Sequence, residues 1–571
     1  MKHYYTNERN HQILIALLKA HGIKYVVASP GTTNSVFIGS IQNDRDFVIY
    51  SSVDERSAAY IACGIAHEKG EPVILSCTGA TAARNYMSGA TEAFYSKLPI
   101  LILTSSQNNN RIGHLFAQVT DRTSPPKDVC RLSLMLPNIH TKDDEWECEV
   151  QANKALLELR RHGGGPVHLN LITTYSYNEE TALLCRELPP TRVIRRITYG
   201  DIRPSFPRGK AAIFVGSHQS FTKEEMKMIE CFCESNNSVV LCDQTSNYCG
   251  KYKILYPIVI NQAPLNSANI PAYDVDTLVH IGEISAEEGA MRMIHSRETW
   301  RVSPDGEIKD TFRNMKYVFE MSEQSFFEMY SIDRQKKNTS YYKECKDNYD
   351  KIIAKIPNQI RQMPFSNVWI ASQIAPKIPP KSTVVLSILN TIRTWNYSDF
   401  EKSVKVFCPV GGFGIDGATS MMLGTSLVNS NHLAFCITGD LAFFYDLNVL
   451  GNRHVHKNIR ILLINNGCGV EFKKSYAMAY RLLGEEVDPY VAAANHFGNK
   501  SKTLVKNFAE SLGFNYLSAS DKNSFEKVKD SFLSKESDKP ILLETFVSDK
   551  DERIALDIIH NRESTSFINN V

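Results

Sequence analysis

The chain has 571 residues, and its 64 Lys and Arg residues nearly balance its 62 Asp and Glu residues, which gives a formal net charge of +2. A chain of this length is expected to form about three or four domains, each with an ordinary core. No long run of one charge sign occurs, which argues against nucleic acid or an anionic membrane as a partner. We therefore expect small molecules, or copies of the same chain, as partners.

The first residues of the chain and its cysteines both favour a cytoplasmic protein. The N-terminal sequence "MKHYYTNERNHQILIALLKAHGIKYVV" is polar and then amphipathic, and no run of about 18 apolar residues follows anywhere. Several of the 13 cysteines lie within apolar runs, such as Cys63, Cys77 and Cys436, and the closest pair, Cys231 and Cys233, forms a CxC. We interpret the cysteines as reduced core thiols.

Helix-like and strand-like segments alternate from residue 11 to residue 105, which is typical of a parallel sheet covered on both faces. A further strand, "GPVHLNLI", closes this region, and the proline-containing "RELPPTRVIRR" predicts a linker. The segments in chain order are "HQILIALLKAHG", "KYVVASPG", "NSVFIGSIQN", "DFVIYSSV", "ERSAAYIACGIAHEKG", "PVILSCTG" and "PILILTSS".

Two more α/β regions follow, so the predicted fold class is α/β with three doubly wound parallel-sheet domains. The expected boundaries are residues 1–185, 195–335 and 360–571. The central region contains no glycine-rich phosphate fingerprint. Its elements are "KAAIFVGS", "KEEMKMIECFCESNN", "SVVLCD", "DTLVHIG" and "WRVSP". The last region contains "STVVLSIL", "VKVFCPVGGFGIDG", "HLAFCITGD", "IRILLINN" and "KPILLETFVS".

Polar residues follow two predicted strands of the last domain. Asp440 ends "HLAFCITGD" and Asn466 ends "IRILLINN". Ligands of open α/β sheets bind beyond the carboxyl ends of the strands, so we expect these residues to share a site. A carboxylate, an amide oxygen and a backbone carbonyl suit a hard ion such as Mg²⁺. An alternative is an ordinary turn in which Asp440 caps the following helix.

The sequence "GDLAFFYDLN", followed by "NN" after residues 442 to 464, resembles the diphosphate-binding signature of thiamine-diphosphate-dependent enzymes. The "YDLN" version most resembles the synthases that form 2-succinyl-5-enolpyruvyl-6-hydroxy-3-cyclohexene-1-carboxylate in menaquinone synthesis. The first domain contains the other half of the resemblance. Its segments "SPGTTN", "DERSAAYIACGIA", "TAARNY" and "GPVHLN" are similar, in that order, to the family's pyrimidine-binding domain.

The resemblance implies pyrimidine-binding, central and diphosphate-binding domains, with thiamine diphosphate and Mg²⁺ as cofactors. By that resemblance Asp440, Asn466 and the carbonyl of Cys468 hold the metal, and Gly439 and Leu441 contact the diphosphate through their backbones. The other residues implied to bind the cofactor are Gly31, Glu55, Thr81, Asn85, Ile415 and Phe472.

Two of these residues have defined chemical roles in the family. Glu55 matches the carboxyl group that contacts the pyrimidine ring and promotes its imino tautomer; burial against a ring would raise its pKa. Ile415, in "GGFGIDG", matches the aliphatic wedge that folds the cofactor. The alternatives are a glutamate that only stabilises a helix start through the dipole, and a plain core isoleucine.

The resemblance also points to substrate residues. Arg393, in "LNTIRTW", corresponds to an arginine that binds a substrate carboxylate, through a charge-assisted pair. Gln118 corresponds to a glutamine near the reacting carbon, and Phe472 to an aromatic residue of the acceptor pocket. Arg393 as a surface arginine remains an alternative. His114 is a candidate proton donor, although a single loop histidine is more often structural.

The chain departs from the synthases at three arginine positions that bind the carboxylates of their acceptor. It has Thr33 after "SPG" and Val410 or a neighbour before "GIDG", and it lacks a third arginine near "SSQNNN". Uncharged replacements lose most carboxylate recognition. Isochorismate is therefore not the expected acceptor.

We expect an enzyme that decarboxylates a 2-oxo acid and transfers the acyl carbanion to an acceptor. The alternatives are a simple decarboxylase that releases an aldehyde, a flavin-containing acetolactate-synthase type, and a non-catalytic cofactor-binding relative. In the family the site forms between two subunits, so a homodimer or homotetramer is the expected partner assembly.

Overall fold

The structure is a computed structural model that describes residues 4–122, 124–174, 183–262, 273–331 and 338–562. The chain folds into two compact units. Unit 1 comprises Met1–Asp201 and Gly306–Glu320, and unit 2 comprises Ile202–Asp305 and Met321–Val571. The boundaries expected for three domains remain a prediction.

Unit 1 contains a parallel six-stranded sheet in the order β3-β2-β4-β5-β7-β6, and a short antiparallel pair, β1 and β8. The strands are β1 (Tyr5–Thr6), β2 (Tyr25–Ala28), β3 (Val48–Ser51), β4 (Val73–Thr78), β5 (Ile100–Ser106), β6 (Leu132–Leu136), β7 (Val167–Ile172), β8 (Leu183–Cys185) and β9 (Arg195–Thr198). The helices are α1 (Arg9–Ala20), α2 (Ser35–Ile41), α3 (Glu55–Lys69), α4 (Thr81–Asn85), α5 (Met87–Tyr95) and α6 (Lys142–Glu158).

Each face of the six-stranded sheet of unit 1 has its own apolar core. Val26 of β2 and Ile74 of β4 belong to one cluster, whereas their neighbours Val27 and Leu75 belong to the other. Successive side chains of a strand point to opposite faces. The sheet is therefore covered on both faces, and burial of both faces explains why its strands read as continuous apolar runs.

The part of the central sheet that lies in unit 2 has five parallel strands in the order β12-β11-β10-β13-β14. The strands are β10 (Ala211–Val215), β11 (Ser238–Cys242), β12 (Lys253–Leu255), β13 (Tyr273–Ile281) and β14 (Ile294–Val302). The helices are α7 (Lys223–Ser235), α8 (Tyr256–Ile260) and α9 (Glu288–Met291).

After the central sheet the chain returns to unit 1 with residues 306–320. There β15 (Met315–Glu320) pairs in parallel with β9. Asp310 of this segment is buried and accepts hydrogen bonds from Nε1 of Trp146 at 2.8 Å and from the Arg192 guanidinium at 2.6 Å. The return segment is thus fixed to unit 1 by both backbone pairing and an ion pair with a buried carboxylate.

The third sheet completes unit 2 with six parallel strands in the order β17-β16-β18-β19-β21-β20. The strands are β16 (Thr383–Leu386), β17 (Lys405–Phe407), β18 (Ala434–Gly439), β19 (Ile459–Asn465), β20 (Asn515–Ala519) and β21 (Ile541–Phe546). Before this sheet come α10 (Glu323–Tyr330) and α11 (Ser340–Ile353), which pack against α7 and β11 of the central sheet, respectively. The remaining helices of unit 2 are α12 (Ile356–Gln362), α13 (Asn367–Ile374), α14 (Asn390–Trp395), α15 (Ala418–Val428), α16 (Asp440–Tyr445), α17 (Met478–Leu483), α18 (Leu504–Ser511), α19 (Lys522–Leu533) and α20 (Asp549–Ile559).

These three parallel sheets with their helices confirm the predicted fold class. All 13 cysteines are free, as expected from their apolar sequence context. Within the described part of the chain, no helix has the length and apolar character needed to cross a membrane.

Gly31 offers a test of the packing in unit 1. An added Cβ would lie 2.2 Å from Cγ2 of Thr78, at the end of β4. We expect Gly31→Ala to lower the free energy of unfolding by about 1–3 kcal/mol, because such overpacking displaces its neighbours. Thr78→Ser removes that methyl group and should restore part of the loss in the double variant, as measured by urea denaturation.

Gly64→Ala is the matched control, because a Cβ at Gly64, within α3, meets no atom within 4 Å. It should leave stability unchanged or raise it slightly. A double variant no more stable than Gly31→Ala alone would contradict this account of the Thr78 contact.

Candidate functional site

The residues predicted to bind the pyrimidine end of a cofactor, together with Gln118, which was predicted to lie near the reacting carbon, all follow the carboxyl ends of neighbouring strands in unit 1. Gly31 follows β2, Glu55 follows β3, Thr81 and Asn85 lie in α4 after β4, and Gln118 follows β5. Since these strands are parallel and adjacent, their carboxyl ends meet at one edge of the sheet. The fold thus gathers five separated residues at that edge.

Glu55 and Asn85 are in direct contact. Nδ2 of Asn85 donates a hydrogen bond to Oε2 of Glu55 at 3.2 Å. Glu55 is the first residue of α3, whose start is fixed by Asp54, since its side chain accepts a hydrogen bond from the backbone N–H of Ser57 at 2.8 Å. Glu55 is half-buried at this edge and Asn85 is exposed beside it. A helix start and an amide together orient the carboxyl group.

Gln118 is exposed and has a positive φ of 63°, an uncommon conformation for a residue other than glycine. The loop that follows it is held by Arg122. This buried guanidinium donates hydrogen bonds to the carbonyls of Thr120 at 2.6 Å and Gly79 at 3.1 Å, and to Oγ of Ser106. Sequence reasoning missed Arg122, because nothing in "VTDR" indicates that its side chain turns inward. His114, the other candidate in this loop, is exposed.

In unit 2 the predicted diphosphate and metal residues also follow strand ends. Gly439 ends β18 and Asp440 begins α16, while Asn466 and Cys468 follow the neighbouring strand β19. Leu441 is the second residue of α16 and is half-buried. The two strands pair in register, with Gly439 opposite Ile464, so the residues after them lie side by side.

The Asp440 carboxyl is only 3% exposed. Burial raises its pKa to about 7, although the backbone N–H groups of Leu441 and Gly467 favour the ionised form. Gly439 occupies the N-cap position of α16, so the alternative that Asp440 itself is the cap residue is not what the helix shows. A desolvated carboxyl that faces the turn after β19 would be stabilised as a carboxylate by a bound cation.

The two asparagines at the end of β19 have different surroundings. Asn465 is buried and donates from Nδ2 to Oε1 of Glu544 at 2.7 Å. Asn466 is half-buried, and its Oδ1 accepts the Cys468 N–H at 3.2 Å. The carbonyl of Cys468 accepts the N–H of Val470 at 3.1 Å and retains a second lone pair.

The oxygens of Asp440, Asn466 and Cys468 therefore form a donor set that fits Mg²⁺ better than zinc or copper. All are hard ligands and only one carries a charge, which leaves room for phosphate oxygens and water. The residues present thus fit a magnesium diphosphate group.

Arg393 lies in α14, after β16, within a partly buried ionic cluster. Its guanidinium pairs with Oε1 of Glu471 at 2.5 Å, and Oε2 of Glu471 accepts from Nζ of Lys474 at 2.6 Å. Burial acts to lower the pKa of Arg393, but the nearby carboxylates Glu471 and Glu287 outweigh it and raise that pKa. Nε of Arg393 is buried and has no hydrogen-bond partner among the described residues. Arg393 is therefore not an ordinary surface arginine.

Leu389, at the start of α14, has a φ of 66° and a ψ of −120°, a conformation that residues with a Cβ rarely adopt. Such strain persists only where the surroundings enforce it, and it concentrates at functional sites. The strained residue sits one position before Asn390 and one helical turn before Arg393. No sequence signal in "SILNTIRTW" indicates this conformation.

Two further buried carboxyl groups were not found from the sequence. Glu552, in α20, is fully buried and accepts hydrogen bonds from Asn367 N–H at 2.5 Å and from Nδ2 of Asn390 at 3.4 Å. Glu287, before α9, is 5% exposed. Burial raises the pKa of each to about 7. Both look like surface glutamates in the sequence, and only the packing of the surrounding elements reveals them.

The remaining candidates have less polar surroundings. Ile415 is half-buried and packs against the core cluster that includes Val384 and Ile437. Phe472, in the segment after β19, is 42% exposed.

Thr33 and Val410, the two positions at which an arginine was expected from the family resemblance, both have buried side chains. Thr33 is 3% exposed, and its hydroxyl donates to the carbonyl of Ser105 at 2.6 Å. Val410 is 4% exposed and belongs to the same core cluster as Val384 and Ile437. The Thr33 hydroxyl is thus already hydrogen-bonded, and the Val410 side chain is packed in an apolar core.

Comparison with known proteins gives two findings. Residues 9–124 match the model of the N-terminal TPP-binding domain of thiamine pyrophosphate enzymes. The chain is also similar to proteins named 2-succinyl-5-enolpyruvyl-6-hydroxy-3-cyclohexene-1-carboxylate synthase. The relative from Bacteroides fragilis is 28% identical over 97% of this chain and 99% of its own. The Phocaeicola vulgatus relative is 28% identical over 97% and 99%, and the Flavobacterium johnsoniae relative is 26% identical over 94% and 95%.

Proposed function

We propose, from the chain's similarity to thiamine-diphosphate-dependent enzymes, that it belongs to them, decarboxylates a 2-oxo acid and transfers the remaining acyl group to an acceptor, with Mg²⁺ as the second cofactor. The observation that carries this proposal is the buried carboxyl of Asp440, which faces the turn after β19 beside an all-oxygen donor set. A carboxyl group that is buried at this strand end is suited to bind the metal ion that holds a diphosphate, because the ion would stabilise its charged form.

Thiamine diphosphate supplies a nucleophilic carbon and an electron sink for decarboxylation. In the proposed site Asp440, Asn466 and the Cys468 carbonyl hold the metal, and the backbones of Gly439 and Leu441 contact the diphosphate. Ile415 supports the folded cofactor. At the pyrimidine end the contacts come from Gly31, Thr81 and Asn85.

Glu55 is the proposed proton-holding group at the pyrimidine. Its carboxyl accepts the Asn85 amide at 3.2 Å, so one oxygen is oriented by a neutral donor. The other oxygen is proposed to share a proton with a ring nitrogen. Carboxyl groups in this kind of role act through the proton that they hold rather than through their charge.

Arg393 is the proposed ligand of the donor carboxylate. Its buried Nε has no partner among the described residues, and a bound carboxylate would provide one through a charge-assisted hydrogen bond. Gln118 and Phe472 are proposed to line the path of the acceptor.

The acceptor is proposed to be a molecule other than isochorismate, because Thr33 and Val410 are apolar or already bonded where the synthases bind carboxylates. The same observation favours a second candidate function, simple decarboxylation to an aldehyde, which needs no acceptor site. A non-catalytic relative would have no use for both Glu55 and Asp440. We further propose a cytoplasmic homodimer or homotetramer, whose site is completed by a second subunit.

A panel of 2-oxo acids tests the proposed function. The purified protein with thiamine diphosphate and Mg²⁺ would be mixed with pyruvate, 2-oxoglutarate, oxaloacetate, sulfopyruvate or phosphonopyruvate, quenched in acid and analysed by proton NMR. We expect one donor to accumulate a decarboxylated adduct without release of aldehyde. Steady aldehyde release would instead establish the decarboxylase, and cofactor binding without reaction of any donor would contradict the enzymatic proposal.

Glu55→Gln should reduce turnover by about 100-fold or more, because an amide cannot hold the proton that the pyrimidine shares. Binding of the cofactor, measured by calorimetry, should be nearly unchanged. Glu68→Gln, an exposed change in the same helix, is the control and should retain activity. Full activity of the Glu55 variant would disprove its assigned role.

Asp440→Ala should abolish the Mg²⁺-dependent retention of thiamine diphosphate, because it removes the one charged ligand of the proposed metal site. Retention can be measured by calorimetry with and without Mg²⁺. Asp530→Ala, an exposed change in α19, should bind as the unmodified protein does. Equal retention by the two variants would refute the metal site.

A further inference from the structure

Glu287 follows a strand of the central sheet and is hydrogen-bonded to the end of α14, the helix that contains Arg393. Its Oε1 accepts a hydrogen bond at 3.0 Å from Nδ2 of Asn396, the residue that ends α14. Oδ1 of Asn396 in turn accepts the backbone N–H of Gln244 at 3.1 Å. Glu287, Asn396 and Gln244 are all buried. The position of the Glu287 carboxyl is therefore fixed relative to α14 by a neutral amide that is itself held in place.

Burial and the nearby cations have opposite effects on the pKa of Glu287. Burial raises its pKa to about 7, while Arg393 and Lys474 act in the opposite direction. Glu471 already pairs with both of these cations, at 2.5 and 2.6 Å. The titratable and charged groups that face Glu287 from the elements around it are Arg393, Lys474, Asp243, Tyr256 and Tyr397.

A carboxylate that binds to Arg393 would disturb this balance. Asp243 acts on Glu287 but is not among the carboxylates that act on Arg393 or Lys474. Around these two cations the carboxylates are Glu471 and, when ionised, Glu287, so an added carboxylate would make three anions against two cations. Such an excess is unfavourable beside the buried Glu287 and Lys474, where charges are less well screened than in water. With Glu287 protonated, the incoming carboxylate instead completes a neutral cluster.

We propose that Glu287 is a specificity-determining residue of the donor site, which takes up one proton from solvent when a substrate carboxylate binds to Arg393. The proposal rests on the assignment of Arg393 to the donor carboxylate. Only an O–H bond forms at Glu287, and no other bond changes. The site thereby favours a donor that brings a single negative charge to this cluster, and it weakens the binding of carboxylates as the pH rises.

The test compares Glu287→Gln with Glu288→Gln in the holoenzyme. The amide oxygen introduced by Glu287→Gln can still accept the Asn396 hydrogen bond, but the side chain has no charge to lose. Glu288 is exposed, and among the described residues its side chain has no hydrogen bond or ion pair, so its variant removes the same charge one residue away. The KM of the reacting donor and kcat would be measured from about pH 6 to about pH 8.

For the unmodified enzyme and Glu288→Gln, the donor KM should rise by up to about tenfold over this range, because the protonated fraction of a group with a pKa near 7 falls by about that factor. Glu287→Gln should show a flat KM and a KM below that of the control at about pH 8. A purely structural role would change kcat or stability without flattening the profile. The same KM profile in both variants would overturn the proposal.

Proton uptake gives a second measurement that needs no turnover and no variant. Binding of the reacting donor, or of 2-oxoglutarate if no donor reacts, would be followed by calorimetry at about pH 8 in two buffers of different ionisation enthalpy. Uptake of about one proton supports the role of Glu287, and no uptake overturns it. Failure of the proposed function would appear separately, as an absence of donor turnover in the unmodified enzyme.

Discussion

The structure depends on one constraint: parallel strands covered on both faces leave little room for polar side chains along their length, and one that lies there needs a partner, as Glu544 of β21 has in Asn465. In unit 1 alternate residues of β2 and β4 enter two separate apolar cores. Chemistry is therefore confined to the strand ends, where the chain turns into the next helix. The same constraint places Glu55 after β3 in unit 1 and Asp440 after β18 in unit 2.

This constraint also explains how far the sequence could be interpreted. Apolar runs followed by turns identified the strands, and polar residues directly after those runs identified Asp440 and Asn466 as a candidate pair. Arg393 required a family resemblance, because nothing local marks it. Neither the sequence pattern nor the family resemblance predicted the burial of Glu287 or the strained backbone of Leu389, because both depend on elements that are distant in the sequence.

The buried acids of unit 2 show that the site is not built for stability. Burial raises the pKa values of Glu287 and Glu552 to about 7, above the usual value for an unfolded chain. Between these two values the folded state binds more protons than the unfolded state does, so these groups make the fold less stable as the pH rises towards 7. Near neutral pH the protein therefore keeps these buried carboxyl groups at a cost in stability, while each accepts hydrogen bonds from buried donors.

The return of residues 306–320 to unit 1 has a consequence for synthesis of the chain. The strand that pairs with β9 in unit 1 is β15, and the Arg192 guanidinium meets Asp310 only after the central sheet has been made. The ribosome makes the chain from its N-terminus. Unit 1 is therefore complete only after about a hundred residues of unit 2 have been made. Until then β9 lacks the strand with which it pairs, and chaperones would be of most use in this period.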